Sequence, residues 1–212
     1  MMKRQRLVAM AVCLALGLVA CGSSEDTFDA DDALAVAESY FDTYNSGDVE
    51  SVLALFEPGA TFSNSFGVHT RADWEQLLAW NAAQGTILSP PDCTVTEEIP
   101  EVSVTVSCPH TNLDVLVQAV DGPPVAIGLR LTISDDGISD WDFNFGKPDF
   151  NAVAIPFRRW MTENHPEDAN VVGFGNWTSV EEAERNGILT AQYAKEWGAE
   201  IEAGNCDYVY GC

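Results

Sequence analysis

Three histidines and one acidic segment are the side chains of this sequence best suited to metal binding or acid–base chemistry. His69, His110 and His165 do not share the spacing of a set of metal ligands. The segment from Asp140 to Gly146 has the alternating acidic residues of a calcium-binding loop, but its glycine comes one position late and its aromatic residues alternate as in a strand. There is no GxSxG motif, no phosphate-binding glycine loop and no activated cysteine. We therefore predict no metal and no cofactor.

Charge and composition restrict the partners of the chain. The 212 residues contain 33 acidic and 10 basic side chains, which gives a formal net charge of -23. Nucleic acid is excluded as a partner because phosphate binding needs a basic surface. A hydrophobic content of 46% excludes simple disorder and is enough for one buried domain with an extension.

Residues 1–20 have the pattern of a signal peptide. Lys3, Arg4 and Arg6 precede an apolar run from Leu7 to Val19, which is too short to span a bilayer. The run ends in the sequence LVAC, residues 18–21, which resembles the lipobox of bacterial lipoproteins. That resemblance implies cleavage before the cysteine and attachment of a diacylglycerol to its sulfur. An ordinary signal peptide with a cysteine near the cleavage site is the alternative.

Lipidation of Cys21 predicts a bacterial protein that is exported and held at a membrane by its lipid. The anchor would lie on the outer side of the cytoplasmic membrane or in the outer membrane. Residues 21–30 would form a short acidic tether between the membrane and the domain.

Four cysteines remain in the mature chain, an even number that predicts two disulfides in an oxidising compartment. A two-residue turn at Pro100-Glu101 would place Cys93 opposite Cys108 in a hairpin. Cys206 and Cys212 would then close a small ring at the end of the chain. Pairing of these two residues with another chain is the alternative.

Helix and strand signals alternate in the first part of the mature chain. Helical spacing of apolar residues predicts a first helix that is capped by Asp31 or Asp32 and ends at Asn45-Ser46-Gly47. It also predicts a third helix with a capping box at Thr70 and Asp73. Between them we expect a second helix, which starts at Asp48 and is closed by Pro58, and a strand over residues 60–66.

From residue 93 onward the apolar residues alternate with a period of two, which predicts a sheet. The strands are expected over residues 93–99, 102–120 and 125–133, with the second strand bent by a bulge at Pro109, and the sheet ends at Trp141, Phe143 and Phe145. A hairpin at residues 135–137 places Arg130 near Asp142 as a cross-strand ion pair.

The last quarter of the sequence is predicted to be helical. One helix is expected over residues 156–164, a second is capped at Ser179 and ends at Asn186-Gly187, and a third begins at Thr190. The domain is therefore expected over residues 31–150, with a helical extension over residues 151–212 that packs on it.

The segments AVAESYFDTYNSGD (residues 35–48) and LALFEPGATF (residues 53–62) resemble the opening of the nuclear transport factor 2-like superfamily, in its SnoaL-like (polyketide-cyclase-like) branch. The resemblance covers residues 30–147. It implies an α+β fold in which a cone-shaped, curved antiparallel sheet wraps around the N-terminal helices. The superfamily contains isomerases, dehydratases, epoxide hydrolases and binding domains without chemistry, so the fold does not decide the function.

The active-site residues of two enzyme families in the superfamily are largely replaced in this chain. In an alignment with ketosteroid isomerases, Tyr40 falls on the oxyanion-hole tyrosine, but the general base falls on Asn64 and the second acid near Leu129. An amide cannot accept a proton at neutral pH. In scytalone dehydratase the first-helix aspartate falls on Asn45, and only His110 approaches one of its histidines.

The resemblance also implies an apolar cavity between the sheet and the helices. The candidate lining residues, with Asn64 as a polar anchor, are Tyr40, Tyr44, Phe62, Asn64, Trp74, Leu78, Leu129 and Trp141. The alternative is that these side chains simply fill the core.

The sequence is therefore interpreted as an extracytoplasmic binding domain without catalysis, whose partner is a small apolar or amphipathic ligand or a protein. A cyclase- or dehydratase-type enzyme that uses His110, Asn64 and Tyr40 is one alternative. An interaction module with a filled core and a sheet that forms a homodimer is the other. An open cavity favours a ligand, and a packed interior favours interaction.

Overall fold

The structure is a computed structural model that describes residues 28–64, 67–146, 151–170 and 177–204. The predictions for the signal peptide, for Cys21 and for the Cys206–Cys212 ring lie outside these ranges. The helices and strands, in chain order, are α1 (Ala30–Ser46), α2 (Val49–Ala54), β1 (Phe56–Asn64), β2 (Gly67–His69), α3 (Arg71–Gln84), β3 (Ile87–Leu88), β4 (Thr94–Ile99), β5 (Ser103–Leu113), α4 (Val115–Ala119), β6 (Val125–Ser134), β7 (Gly137–Phe145), α5 (Asn151–Asn164) and α6 (Val180–Glu202). No helix within the described ranges is long and apolar enough to cross a bilayer.

Helix α1 begins earlier than the sequence predicted. Its N-cap is Asp29, whose carboxylate accepts hydrogen bonds from the backbone N–H groups of Asp31 (2.8 Å) and Asp32 (3.1 Å). The carboxylate of Asp32 accepts a hydrogen bond from the backbone N–H of Asp29, so Asp32 is the second member of the capping box and not the cap. The helix ends as expected at Gly47, which has a left-handed backbone (φ 74°).

The α+β fold with a curved sheet is confirmed, but the sheet is mixed. In the described part of the chain the strand order is β2-β1-β7-β6-β5-β3, and β4 also pairs with β5. Strand β1 runs parallel to β7, and every other pairing is antiparallel. A parallel neighbour needs a long connection. The segment that connects β1 to β7 contains all the elements from β2 to β6, so no local turn pattern in the sequence indicates that these two strands pair.

Pro58 lies within β1 and does not close α2. Helix α2 ends at Ala54 and the strand already begins at Phe56, four residues before the expected start. The register of β1 against β7 shifts between Phe56 and Thr61, and Pro58 occupies this irregular stretch. A proline is tolerated in a strand at such a place because no regular ladder bond is lost.

Strand β5 has no bulge at Pro109, so that prediction was wrong. Its pairing with β6 keeps one register from Val104 to Asn112, with Pro109 opposite Gly128. The neighbour on the other side of β5 changes near Pro109, because β4 pairs with residues 103–107 and β3 with residues 112–113. The expected continuation to residue 120 was also wrong: the strand ends at Leu113 and helix α4 follows. The change of the apolar residues from even-numbered to odd-numbered positions after Pro109 reflects the start of this helix and not a bulge in the strand.

The Cys93–Cys108 disulfide is present, with a Cα–Cα distance of 4.1 Å. The pairs next to it, Thr94 with Ser107 and Val95 with Val106, have the predicted register. The turn, however, is one residue longer than predicted. It spans residues 100–102, so Ile99 pairs with Ser103, and a register shift between residues 95 and 97 compensates for the extra residue. All six residues of β4 are exposed, so the strand does not form the expected buried face.

Helix α6 is continuous through Asn186-Gly187, where the sequence predicted a break. A Cβ atom on Gly187 would lie 2.6 Å from the carbonyl oxygen of Trp80 and 2.7 Å from the Cβ atom of Ala83. The glycine therefore allows α6 to cross α3 at backbone distance, and it does not end the helix. Helix α5 begins at Asn151, five residues before the predicted start at Pro156.

The buried side chains form two large groups and a small third group of Val117, Val125 and Ile127 between α4 and β6. The first fills the space between the sheet and helices α1 to α3. The second joins α5 and α6 to α4 through Leu116, Phe157, Trp160 and Trp197. On the outer face of the sheet, Arg130 and Asp142 form the predicted ion pair at 3.1 Å.

The close crossing of α6 and α3 gives a stability test. We expect Gly187→Ala to lower the free energy of unfolding by about 1–3 kcal/mol, because the new methyl group meets backbone that must move. Gly59→Ala is the matched control, since no atom lies within 4 Å of its added Cβ. Urea denaturation of the purified variants measures both. An equal loss in the two variants would contradict the close crossing.

Candidate functional site

A cavity of about 350 Å³ lies between the sheet and helices α1 and α3. Its floor is formed by inward-facing residues of β5, β6 and β7, and its sides by α1, α3 and the ends of β1, β2 and β3. One wall is aromatic and the opposite wall carries polar side chains from β5 and α3. This division determines what the cavity can bind.

Most of the candidate residues named from the sequence line this cavity. They are Tyr40, Tyr44, Asn64, Trp74, Leu129 and Trp141. Phe62 does not line it, because its ring stacks behind Trp74 at a centroid distance of 5.6 Å. Leu78 does not line it either. The cavity face of α3 includes Trp74, Leu77 and Asn81, whereas the side chain of Leu78 is turned into the core.

The aromatic wall is held by a hydrogen bond between a helix and the sheet. The indole Nε1 of Trp141 on β7 donates to the hydroxyl oxygen of Tyr40 on α1 at 3.1 Å, and both side chains are buried. Burial raises the pKa of Tyr40 far above its ordinary range, so the phenol remains protonated. Trp74 contacts Trp141 at a centroid distance of 4.0 Å, and Phe143 extends the wall at 5.0 Å from Trp141.

The polar wall follows from the alternation of β5. His110 and Asn112 occupy even-numbered positions of β5 that face inward, and Asp114, the residue directly after the strand, continues the same alternation, so that all three line the cavity. Sequence reasoning identified His110 but missed Asn112 and Asp114. The predicted bulge at Pro109 had moved the inward face to the odd-numbered positions. An unbroken period of two would have placed both residues in the cavity.

His110 is held in a defined orientation and remains neutral. Its Nδ1 atom lies 3.0 Å from the carbonyl oxygen of Cys108, and its ring packs edge-on against Phe41 at a centroid distance of 4.8 Å. Burial lowers the pKa of His110 below its ordinary value. A neutral ring that donates from Nδ1 carries its lone pair on Nε2.

Asp114 is a buried carboxyl group on the cavity wall and the N-cap of α4. One carboxylate oxygen accepts the backbone N–H of Leu116 at 2.8 Å, and the side chain of Gln84 on α3 also donates to the group. Burial raises the pKa of Asp114 to about 6 despite these two bonds. Burial, together with the charges of Tyr40 and Asp114, also raises the pKa of Tyr44.

Two asparagines fix the helices and strands around this wall. The side chain of Asn45 makes two bonds with the backbone of Leu88, one to the carbonyl oxygen (2.9 Å) and one from the N–H (2.8 Å). Asn45 thereby ties β3 to α1 through the backbone, which is a structural task and not that of the dehydratase aspartate. The Oδ1 atom of Asn81 accepts from Gln84 and Thr86 on the opposite side.

Within the described ranges, no group of His, Cys, Asp and Glu side chains is arranged to hold a metal ion. The segment that resembled a calcium loop lies in β7 through Phe145, so its backbone carbonyls are engaged in the sheet.

The similarity of this chain to known proteins lies in the arrangement of its backbone. No protein-family model matches the sequence, and no curated protein is similar to it. The solved structure of the epoxide hydrolase/cyclase-like enzyme SalBIII, described for pyran ring formation in the polyether salinomycin, is 19% identical. It matches 57% of this chain and 95% of its own, with a TM-score of 0.45.

Two further solved structures are similar to the same part of the chain. An NTF2-like protein of unknown function from Cytophaga hutchinsonii is 10% identical over 56% of this chain and 91% of its own, with a TM-score of 0.41. A protein from Xanthomonas campestris pv. campestris, provisionally assigned as a polyketide cyclase, is 15% identical over 54% and 90%, with a TM-score of 0.42. Each similarity is one of backbone arrangement and assigns no activity to this chain.

The raised pKa of Asp114 makes the stability of the protein depend on pH. Between about pH 4 and pH 6 the folded protein holds a proton that the unfolded chain has released, so its free energy of unfolding falls as the pH rises. The total fall is on the order of 3 kcal/mol. We expect Asp114→Asn to remove this contribution, which makes the variant relatively more stable above pH 6 than at pH 4.

Urea denaturation at several pH values measures this difference. Asp135→Asn is the control, because Asp135 is exposed in the turn between β6 and β7 and the variant should keep the wild-type profile. Parallel pH profiles for the wild type and Asp114→Asn would show that Asp114 titrates as an ordinary carboxyl group.

Proposed function

We propose that this protein is an exported, lipid-anchored binding domain whose cavity holds a small, largely apolar ligand without chemistry. The observation that carries the proposal is the cavity of about 350 Å³, with its aromatic wall and its opposing polar wall. Small-molecule sites are typically about 300–1,000 Å³, mostly apolar, with a few polar groups that orient the ligand.

The volume of the cavity favours a ligand over a filled interior. Protein cores pack as densely as organic crystals, so the apolar surfaces of Trp74, Trp141 and Leu129 that face this cavity forgo dispersion contacts with other protein groups. A bound ligand restores those contacts. An interaction module with no ligand would have no use for such a void.

An enzyme is the second candidate, and His110 is the observation that favours it. Its neutral imidazole carries a lone pair on Nε2, which is the state a general base needs. A cyclase- or dehydratase-type reaction would use this base with Tyr40 as a donor. Turnover of a bound ligand, lost in His110→Gln while binding persists, would establish the enzyme and displace the binding domain.

The anchor would hold the cavity close to the membrane surface. Helix α1 begins at Ala30, so only residues 22–29 would separate a lipidated Cys21 from the first helix of the domain. A protein with a formal net charge of -23 is repelled by anionic headgroups, and the lipid would offset this repulsion.

Filling the cavity tests the binding function. We expect the neutral fluorescent probe N-phenylnaphthylamine to bind with one-to-one stoichiometry, and Leu77→Trp on α3 to weaken binding by ~10-fold or more because the indole occupies the ligand space. Leu34→Trp is the control. Both leucines are half-buried on helices, but only Leu77 lines the cavity. Equal affinity in the two variants would place the probe elsewhere.

Lipidation of Cys21 has a direct test in a bacterial host that processes lipoproteins. Mass spectrometry of the membrane fraction should find the chain beginning at an acylated Cys21. Cys21→Ser should release the protein from the membrane, whereas Cys13→Ser, within the signal peptide, should leave the anchoring unchanged. A membrane-bound protein with an unmodified Cys21 would contradict the anchor.

A further inference from the structure

We infer that the ligand of the cavity is an organic cation, with an ammonium group against the Asp114 carboxylate and an apolar body among the rings of Trp74 and Trp141. This inference rests on the proposed binding function and names the chemical class of the ligand. It follows from the charge, the hydrogen-bonding groups and the ring surfaces of the cavity.

The cavity contains a buried negative charge without a cationic partner. Asp114 is 3% exposed and lines the cavity, and among the described lining residues there is no Lys or Arg. A buried carboxylate is costly unless it is paired. The raised pKa of Asp114 expresses this cost, and a cation bound beside it would reduce it. His110 supplies no positive charge at neutral pH, since burial lowers its pKa.

A second carboxylate, that of Asp73, adds to the negative charge of the lining. It is already used, because one oxygen accepts both the backbone N–H (2.9 Å) and the hydroxyl (2.8 Å) of Thr70 at the start of α3. These bonds lower the pKa of Asp73, so it remains ionised. Asp73 therefore contributes to the field in the cavity, while Asp114 provides the contact.

The polar wall also offers a hydrogen-bond acceptor that the protein leaves unused. The Oδ1 atom of Asn112 is buried and has no hydrogen-bond partner among the described residues. Asn112 lies in β5 two residues before Asp114, and both line the cavity. A primary ammonium group has three N–H donors, so it can serve both of these acceptors. The indole N–H groups of Trp74 and Trp177, which also line the cavity without a partner among the described residues, would pair with an acceptor atom on the body of the ligand.

The aromatic wall suits the body of such a ligand. Trp74 and Trp141 lie at a centroid distance of 4.0 Å from one another, and both line the cavity. Indole faces attract cations and pack well against flat apolar groups. The formal net charge of -23 also draws cations toward the protein and repels anions.

Three matched probes separate charge recognition from apolar binding. They are naphthylmethylammonium, naphthylmethanol and naphthylacetate, which share one ring system and differ in charge. Equilibrium dialysis against the wild-type protein at neutral pH should give an affinity for the ammonium ~10-fold or more above that for the alcohol, with the carboxylate weakest. This comparison requires no variant.

Asp114→Asn should remove most of the preference for the ammonium and leave the affinity for the alcohol within about 2-fold, because the side chain keeps an oxygen to accept from Leu116. Glu38→Gln is the charge-matched control. Glu38 is exposed on α1 and does not line the cavity, so its variant should keep the wild-type preference.

Each other outcome overturns a distinct statement. Equal binding of the ammonium and the alcohol by the wild type would refute the cationic ligand and leave the binding domain intact. Absence of binding for all three probes would refute the proposed function itself. A preference that persists in Asp114→Asn, or that is lost equally in Glu38→Gln, would assign it to the general acidity of the surface and remove Asp114 as the recognition group.

Discussion

The single register of β5 against β6 is the constraint on which the site depends. From Val104 to Asn112 the two strands pair without interruption, even past Pro109. Because side chains alternate strictly along a strand, a shift of one residue would turn His110 and its neighbours toward the outside. The same pairing places Cys108 where the disulfide can hold the edge strand β4, and it brings Asp114 to the point where α4 must begin.

The two walls of the cavity are stabilised in different ways. The aromatic wall depends on apolar burial, with one hydrogen bond between Trp141 and Tyr40 that fixes the distance from α1 to the sheet. The polar wall depends on hydrogen bonds that only partly offset the cost of burial, which is why Asp114 has a raised pKa. A protein under selection for stability alone would replace Asp114 with a neutral cap. A buried carboxyl group with a raised pKa in a cavity wall is typical of a binding or catalytic site.

The sequence predicted those parts of the fold that local patterns determine. The capping box of α3 at Thr70 and Asp73, the alternation of β6 and the end of α1 at Gly47 were all predicted correctly, because each depends on residues a few positions apart. The parallel pairing of β1 with β7 was not predicted, since it joins segments separated by most of the domain.

The errors in the candidate site have the same origin. A proline in a strand and an Asn-Gly pair in a helix are local signals for interruption, and in both places tertiary packing overrode them. Near Pro109 the strand that pairs with β5 on the side away from β6 changes from β4 to β3. At Gly187 helix α3 occupies the space that a side chain would need. Because Pro109 was interpreted as a bulge, Asn112 and Asp114 were not included among the predicted cavity residues. Most of the aromatic residues predicted to line the cavity do line it, because the burial of large rings depends little on small errors of register.

Helix α6 touches the framework of the site at two places through glycine. Gly187 lies against the backbone of α3 at Trp80, and a Cβ on Gly198 would lie 2.6 Å from the carbonyl oxygen of Ala119 on α4. The two glycines are about three helical turns apart, roughly 16 Å. Helix α3 carries Gln84, and α4 is capped by Asp114. The length of α6 between the two glycines therefore sets the distance between these two helices of the polar wall. An insertion or deletion of one residue between the glycines would rotate one of the two contacts out of place by about 100°. The close packing of α6 therefore requires glycine at both positions and a fixed number of residues between them.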